Sequence, residues 1–208
     1  KDGKEFTLLQ GYIGREYARV SGEDPSVAEA IYEHYLPRFA GDILPAEKAG
    51  LILSCADKLD NISGGFIMGL EPTGSQDPYA MRRQAMSVLR VMISGEMEVS
   101  LPKAIDKSLS LFKMGKGSKG KATEGITGKI HEFFVQRFTG ILKKEGFSHD
   151  IVMAVMGSSW EAPGVAVNMV EELTGMRRNG TLFDFILAMK RISNIVPSSV
   201  VKRIQADP

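Results

Sequence analysis

The chain has 208 residues, of which 43% are hydrophobic and 25% are charged, and its formal net charge is +1 at pH 7. This composition is typical of a globular protein. Because the net charge is near zero, the overall charge does not indicate a nucleic-acid partner. No apolar run reaches the roughly 20 residues that cross a bilayer, and the lone Cys55 excludes an internal disulfide, so we expect a cytoplasmic protein without membrane association.

Apolar residues recur every three or four positions along most of the chain, and no stretch alternates as a half-buried strand does. The sequence therefore predicts an all-α fold. Asp24-Pro25 and Asp77-Pro78 each combine a capping side chain with a proline that the first helical turn tolerates, so each marks a helix start. In chain order we predict helices over 5–20, 25–36, 45–62, 79–93 and 102–113, then from 126 to Gly146, a short helix capped by Ser148, and helices over 163–174 and 182–196.

A glycine- and lysine-rich segment, 114–125, interrupts the helical pattern. We predict a flexible linker there, which divides the chain into a helical domain over 1–113 and a second helical domain over 126–208. The surrounding stretch carries an excess of lysine, for which a solvated surface is the ordinary interpretation. Because the sequence begins and ends abruptly inside patterned segments, we expect a fragment of a longer protein.

The predicted third helix carries carboxylates close to its apolar stripe. Asp57 lies beside the stripe, and Asp60 follows one turn later. A carboxylate near a buried face needs a partner, which leaves two interpretations open: a polar contact with a neighbouring helix, or a metal or ligand site between helices. Gly64-Gly65 follows the predicted end of this helix and permits a bend or a close backbone approach.

The loop over 72–78 has the most distinctive pattern in the chain, and a helix that opens with Arg82-Arg83 follows it. These arginines, together with backbone N–H groups at the helix start, are suited to phosphate. The alternative is that they form ion pairs with Asp57 and Asp60. The residues that define this signature loop are Pro72, Thr73, Gly74, Ser75, Asp77 and Pro78.

Two short segments resemble the HD superfamily of helical, metal-dependent phosphohydrolases. His34 is similar to a histidine ligand of that family, and Asp57, in Ala-Asp-Lys-Leu, is similar to its final aspartate. The family's His-Asp doublet is missing between them, and the literal His149-Asp150 comes after Asp57 at a helix start. We interpret His34 and Asp57 as remnants of a metal site and predict neither a metal nor a catalytic residue. A metal-dependent HD phosphohydrolase stays as an alternative function.

Longer segments, taken together, resemble the β subunit of bacterial glycyl-tRNA synthetase. The resemblance implies that 1–113 is a degenerate HD-like domain and that 126–208 leads toward a C-terminal anticodon-binding region beyond this chain. It is carried by Leu9 to Gly14, Glu33 to Pro37, Ala56 to Asp60, Pro72 to Pro78, and Met81-Arg82-Arg83, where methionine replaces the family's usual leucine.

The resemblance also implies a function. In that family an α2β2 tetramer charges tRNA(Gly): glycine is activated with ATP and Mg on the α subunit, and the β subunit binds and positions the tRNA. This chain would then hold no cofactor of its own and would contribute tRNA binding and scaffolding. A helical module that contacts the α subunit through exposed apolar patches is a further alternative. The candidate tRNA contacts are Arg82, Arg83, Lys113, Lys116, Lys119 and Lys121.

Overall fold

The computed structural model describes residues 9–112 and 121–195. Within those ranges the regular elements are nine α-helices, which confirms the predicted all-α class. None of these helices is both long and apolar enough to cross a membrane. In chain order they are α1 Tyr12–Val20, α2 Pro25–Glu33, α3 Lys48–Ile67, α4 Met81–Ser94, α5 Leu101–Leu111, α6 Lys121–Lys144, α7 His149–Ser159, α8 Pro163–Arg178 and α9 Leu182–Ile195.

The first two helices form a pair that packs onto α3. α1 begins at Tyr12 because Gly11 has a φ of 85°, which is outside the helical region. The guanidinium carbon of Arg15 lies 5.1 Å from the ring centroid of Tyr12 and 4.8 Å from that of Tyr32. Arg15 also forms an ion pair with Glu29 at 3.3 Å. Cation–π contacts and an ion pair therefore join α1 to α2.

α3 is capped by a residue of α2 rather than by its own N-terminal residue. Glu47 makes no side-chain cap hydrogen bond. Instead, Glu33 accepts hydrogen bonds from the N–H groups of Ala46 at 2.8 Å and Glu47 at 3.1 Å, although its side chain is only 5% exposed. Gly50 makes room for this carboxylate, because a Cβ at that position would collide with it. The buried charge is satisfied, and it ties α2 to α3.

The glycine pair Gly64-Gly65 lies inside α3, which continues to Ile67 past its predicted end. Of the two interpretations offered for the pair, close approach is the one that the structure shows. A Cβ at Gly65 would lie 2.6 Å from the sulfur of Met81, and a Cβ at Gly64 would lie 3.3 Å from the ring of Phe112. The two glycines thus let α4 and the end of α5 approach α3.

One hydrophobic core includes residues from both sides of the predicted linker. Residues 121–125 of that linker belong to α6, whereas 114–120, with Lys116 and Lys119, lie outside the described residues, as does Lys113. α3, α4 and α5 therefore share their buried face with α6, α7 and α8. Core members with little or no exposure include Ile62, Met81, Val88, Leu101, Ile105, Ile130, Phe134, Phe138, Val152, Ala166 and Val170.

The last helices differ from the prediction at their ends. α8 continues to Arg178, so Arg177 and Arg178 are helical and the turn begins at Asn179. Ser148 precedes α7 as predicted, but it makes no side-chain cap hydrogen bond. Its hydroxyl instead accepts a hydrogen bond from Arg177 at 2.8 Å, and the same guanidinium pairs with Asp150. This contact fastens the end of α8 to the start of α7.

Candidate nucleic-acid interface

The signature loop is a compact turn that ends in a cap for α4. Thr73 and Gln76 exchange backbone hydrogen bonds of 3.1 and 2.8 Å. Asp77 then accepts hydrogen bonds from the N–H groups of Met81 at 2.8 Å and Arg82 at 3.0 Å, which confirms that it caps the helix. The predicted start at residue 79 is wrong, because α4 begins at Met81 and Pro78 lies before it. The phosphate contact predicted at this helix start combined backbone N–H groups with the two arginines. Because Asp77 already accepts from two of those N–H groups, the contact would depend on the arginine side chains.

Two neighbouring depressions open beside α4, with volumes of about 350 and 430 Å³. Both are lined by Pro37, Ala80, Arg83 and Ser87, so they form one continuous groove. We call this the basic groove. Two carboxylates, Asp57 and Asp77, also line it, and Asp77 is engaged in the cap. The basic side chains that line it, which the name refers to, are Arg38, Lys58, Arg82, Arg83 and Arg90.

Arg83 lines both depressions and Arg82 lines the first, and no ion pair joins either of them to Asp57 or Asp60 in the described part of the chain. The ion-pair interpretation given above is therefore not supported for these residues. Arg82 donates one long hydrogen bond of 3.5 Å to the carbonyl oxygen of Gln76. The two guanidinium groups thus keep most of their donors available for an anionic ligand.

A further arginine, Arg137 of α6, lies outside the groove but close enough to Arg82 for the two charges to interact. Burial lowers the pKa of Arg137, and the positive charge of Arg82 lowers it further, while Asp77 acts in the opposite direction. The guanidinium of Arg137 lies 3.9 Å from the ring centroid of Phe133. Arg137 is not among the residues predicted from the sequence, because a single arginine within a long amphipathic helix carries no local signal for a site.

The opposite wall of the groove is built around Lys58, whose side chain is 6% exposed. Its ammonium donates to the carbonyl oxygens of His34 at 2.9 Å and Leu36 at 3.1 Å, and to the hydroxyl of Ser54 at 2.9 Å. Burial lowers the pKa of Lys58, and the neighbouring Asp57 opposes that shift. Lys58 therefore holds the segment that follows α2 against α3, and this segment forms part of the groove.

The side chains of His34 and Asp57, the suspected remnants of a metal site, contact other residues and not each other. Asp57 is exposed in the groove, where it accepts a 3.4 Å hydrogen bond from Asn61. The ring of His34 lies against that of Tyr35, with centroids 3.9 Å apart, and the contact between the two segments is made by Lys58. Nowhere in residues 9–112 and 121–195 do three His, Cys, Asp or Glu side chains cluster as metal ligands. The described residues thus do not fit the hydrolytic metal of an HD phosphohydrolase.

A helical chain with a groove lined by several arginine side chains is suited to binding an anionic ligand. The family described as "Glycyl-tRNA synthetase beta subunit" matches residues 4–157. The chain belongs to this family.

Individual relatives give the same result. The chain is 42% identical over 201 residues to the glycine–tRNA ligase beta subunit of Desulforamulus reducens, which covers 97% of this chain and 29% of the relative. It is 40% identical over 200 residues to that of Clostridioides difficile, covering 96% and 28%. It is 41% identical over 196 residues to that of Syntrophotalea carbinolica, covering 94% and 28%. The chain thus spans less than a third of the length of these relatives.

Proposed function

We propose that this chain is part of the β subunit of a tetrameric, cytoplasmic glycine–tRNA ligase, and that its contribution is to bind and position tRNA(Gly). Glycine activation with ATP and Mg belongs, in this proposal, to the α subunit. Membership of the β-subunit family supports the proposal, and so does the basic groove. The observation that carries it is the pair of adjacent arginines, Arg82 and Arg83, that open into this groove without a carboxylate partner among the described residues.

The chemistry of the groove suits the RNA backbone. Guanidinium groups present several donors in a planar fork and bind phosphate oxygens strongly. Arg82 and Arg83 lie in the first turn of α4, whose start is fixed by Asp77. Their backbone is therefore fixed before the ligand arrives, while their side chains remain available. Contacts of this kind orient an RNA without reading its sequence, which is the contribution expected of a positioning domain.

Charge neutralisation provides the test. The binding of fluorescently labelled tRNA(Gly) to this chain is measured by anisotropy at a series of salt concentrations. We expect salt-sensitive binding, and we expect the double substitution Arg82→Ala and Arg83→Ala to weaken it and to reduce the salt slope by about two, roughly one for each lost phosphate contact.

The matched control removes the same charge elsewhere. Arg178 and Arg191 are exposed and line neither depression of the groove. The double substitution Arg178→Ala and Arg191→Ala should leave the affinity and the salt slope close to those of the wild type. Equal weakening by the two double variants would show nonspecific attraction and refute the groove as the binding site, and a wild type that binds no tRNA at low salt would leave the chain with scaffolding alone.

The exposed apolar face of α9 favours an additional role in assembly. α9 has no buried residue, and Phe183, Ile186, Ile192 and Ile195 are all more than half exposed. An apolar surface of this kind on a soluble chain usually contacts another protein surface. We propose that it meets the α subunit. Co-purification with the α subunit should be lost on Phe183→Ser with Ile186→Ser, and retained on Arg178→Ala; undiminished co-purification of the serine variant would refute the contact.

A further inference from the structure

A third depression, of about 360 Å³, lies beside the basic groove and differs from it in chemistry. We call it the Tyr79 pocket. It shares Asn61 and Gln84 with the groove, so the two are adjacent. Whereas guanidinium groups dominate the groove, aromatic and hydrogen-bond-accepting side chains line the pocket, namely Tyr79, Phe112, Asp60 and Gln84. The three depressions therefore form one continuous track with basic side chains in two parts and aromatic ones in the third.

The aromatic residues of the pocket are available for stacking. Tyr79 is 56% exposed although it lies directly before the tightly packed start of α4. Phe112 is partly exposed at the end of α5. Gly64 and Gly65 form another wall of the pocket, and side chains there would meet Phe112 and Met81. Tyr79 thus offers an exposed ring to a planar group, and Met68, Leu70 and Met81 complete the apolar part of the pocket.

Two of the polar side chains that line the pocket, Gln84 and Asp60, offer hydrogen-bond acceptors, beside Asn61 and Tyr79, which also carry donors. Gln84 donates through its side-chain nitrogen to the carbonyl oxygen of Tyr79 at 3.0 Å, which identifies the other amide atom as the oxygen. That oxygen is buried and has no hydrogen-bond partner in the described structure. An unsatisfied buried acceptor is costly, so a donor that reaches it would be favoured. The carboxylate of Asp60 is a second acceptor on the same pocket.

We infer that the Tyr79 pocket binds an unpaired nucleobase that carries an exocyclic amino group, while the adjacent phosphates lie on the basic groove. Aromatic stacking next to a cationic track is the usual way in which proteins hold single-stranded nucleic acid. The acceptors of Asp60 and Gln84 favour adenine, cytosine or guanine over uracil, because uracil has no exocyclic amino group and carries only its ring N3–H between two carbonyl oxygens. The inference rests on the proposed tRNA-binding function and assigns to it an unpaired part of the RNA.

The test compares three RNA probes by anisotropy: oligocytidylate, oligouridylate and a self-complementary duplex without overhangs. Tyr79→Ala should weaken oligocytidylate binding at least about fivefold, because stacking of one base on an aromatic ring is worth roughly 1–3 kcal/mol. Tyr79→Phe should restore it, since the ring is kept. Duplex binding should be unchanged by Tyr79→Ala and reduced by Arg83→Ala. Tyr17→Ala removes an even more exposed tyrosine, on α1 and outside the pocket, and it should have no effect.

Base preference provides a second measurement. The wild type should bind oligocytidylate more tightly than oligouridylate, and Asp60→Ala should bring this affinity ratio close to one. A wild type that binds the two oligonucleotides equally would overturn the amino-group preference. A Tyr79→Ala variant that loses duplex and single-strand binding to the same extent, or loses neither, would overturn the pocket and leave the groove intact. A wild type that binds no RNA would overturn both.

Discussion

Gly50 offers a sharp test of how α2 is joined to α3. Glu33 of α2 caps the start of α3, and its carboxylate occupies the space that a side chain at position 50 would need. Replacing glycine by alanine inside a helix normally stabilises a protein, by up to about 1 kcal/mol. At position 50 we expect the opposite sign, because the added methyl group meets Glu33 rather than solvent.

The expected magnitude follows from the contacts of Glu33. Overpacking a well-filled site costs about 1–3 kcal/mol. If the carboxylate is displaced from the N–H groups of Ala46 and Glu47, hydrogen bonds to a charged acceptor are also lost, at about 1.5–3 kcal/mol each. Subtracting the helix-propensity gain, we expect Gly50→Ala to destabilise the protein by about 2 kcal/mol or more, which lowers the Tm by roughly 4–8 °C for a chain of this size.

The measurement is urea denaturation followed by far-UV circular dichroism, with Gly140→Ala as the matched control. Gly140 lies in α6, and a Cβ there would meet nothing within 4 Å. We therefore expect Gly140→Ala to be neutral or to raise the free energy of unfolding by up to about 1 kcal/mol. A Gly50→Ala protein as stable as the Gly140→Ala protein would refute the assignment of Glu33 as the cap of α3.

Three other predictions concern single side chains. Asp77→Ala should lower the free energy of unfolding by about 1–2 kcal/mol in the same assay, because two N–H groups at the start of α4 lose their acceptor. Cys55 should react only slowly with an alkylating reagent in the native protein and promptly in urea, because its side chain is 6% exposed and burial raises the pKa of its thiol to about 11. Fast native alkylation would contradict the burial. Arg177 holds the pKa of Asp150 below its usual range, so the stabilisation from this pair is present above about pH 4 and is lost as the pH falls through the folded-state value. The stability difference between wild type and Arg177→Ala should therefore shrink in acid, and a constant difference would refute the pair.

The apolar pattern of the sequence located most helices, because core contacts repeat with the helical period. On α4, for example, Met81, Ala85, Val88 and Met92 recur at spacings of three and four residues, and all four are buried. Helix ends were less predictable, since they depend on contacts with distant segments. α3 continues through Gly64-Gly65 because Met81 and Phe112 fill the space beside the glycines.

Side-chain roles at the site were predictable where the contact is local. Asp77 caps the helix that follows it, as its spacing indicated. The charge buried beside the apolar stripe of α3 is Lys58, whereas the sequence suggested Asp57, because the carbonyl oxygens that hold Lys58 come from the segment after α2. Tertiary packing of α6 brings Arg137 near Arg82, which no local pattern indicates. The assignment of 1–113 as an HD-like domain and the proposed contacts of the lysines with tRNA stay predictions.

The shared core also determines which parts of the chain can open independently. Buried side chains of α3 to α8 interdigitate in one cluster, so backbone amides in α3 and α6 should exchange with solvent through a common opening. The buried residues of α1 and α2 lie outside that cluster, and α9 has none. Protection of amides should therefore fall from the centre toward both ends of the described chain. The basic groove lies at the border between these regions, with one wall on α4 and the other on the segment that Lys58 fastens to α3.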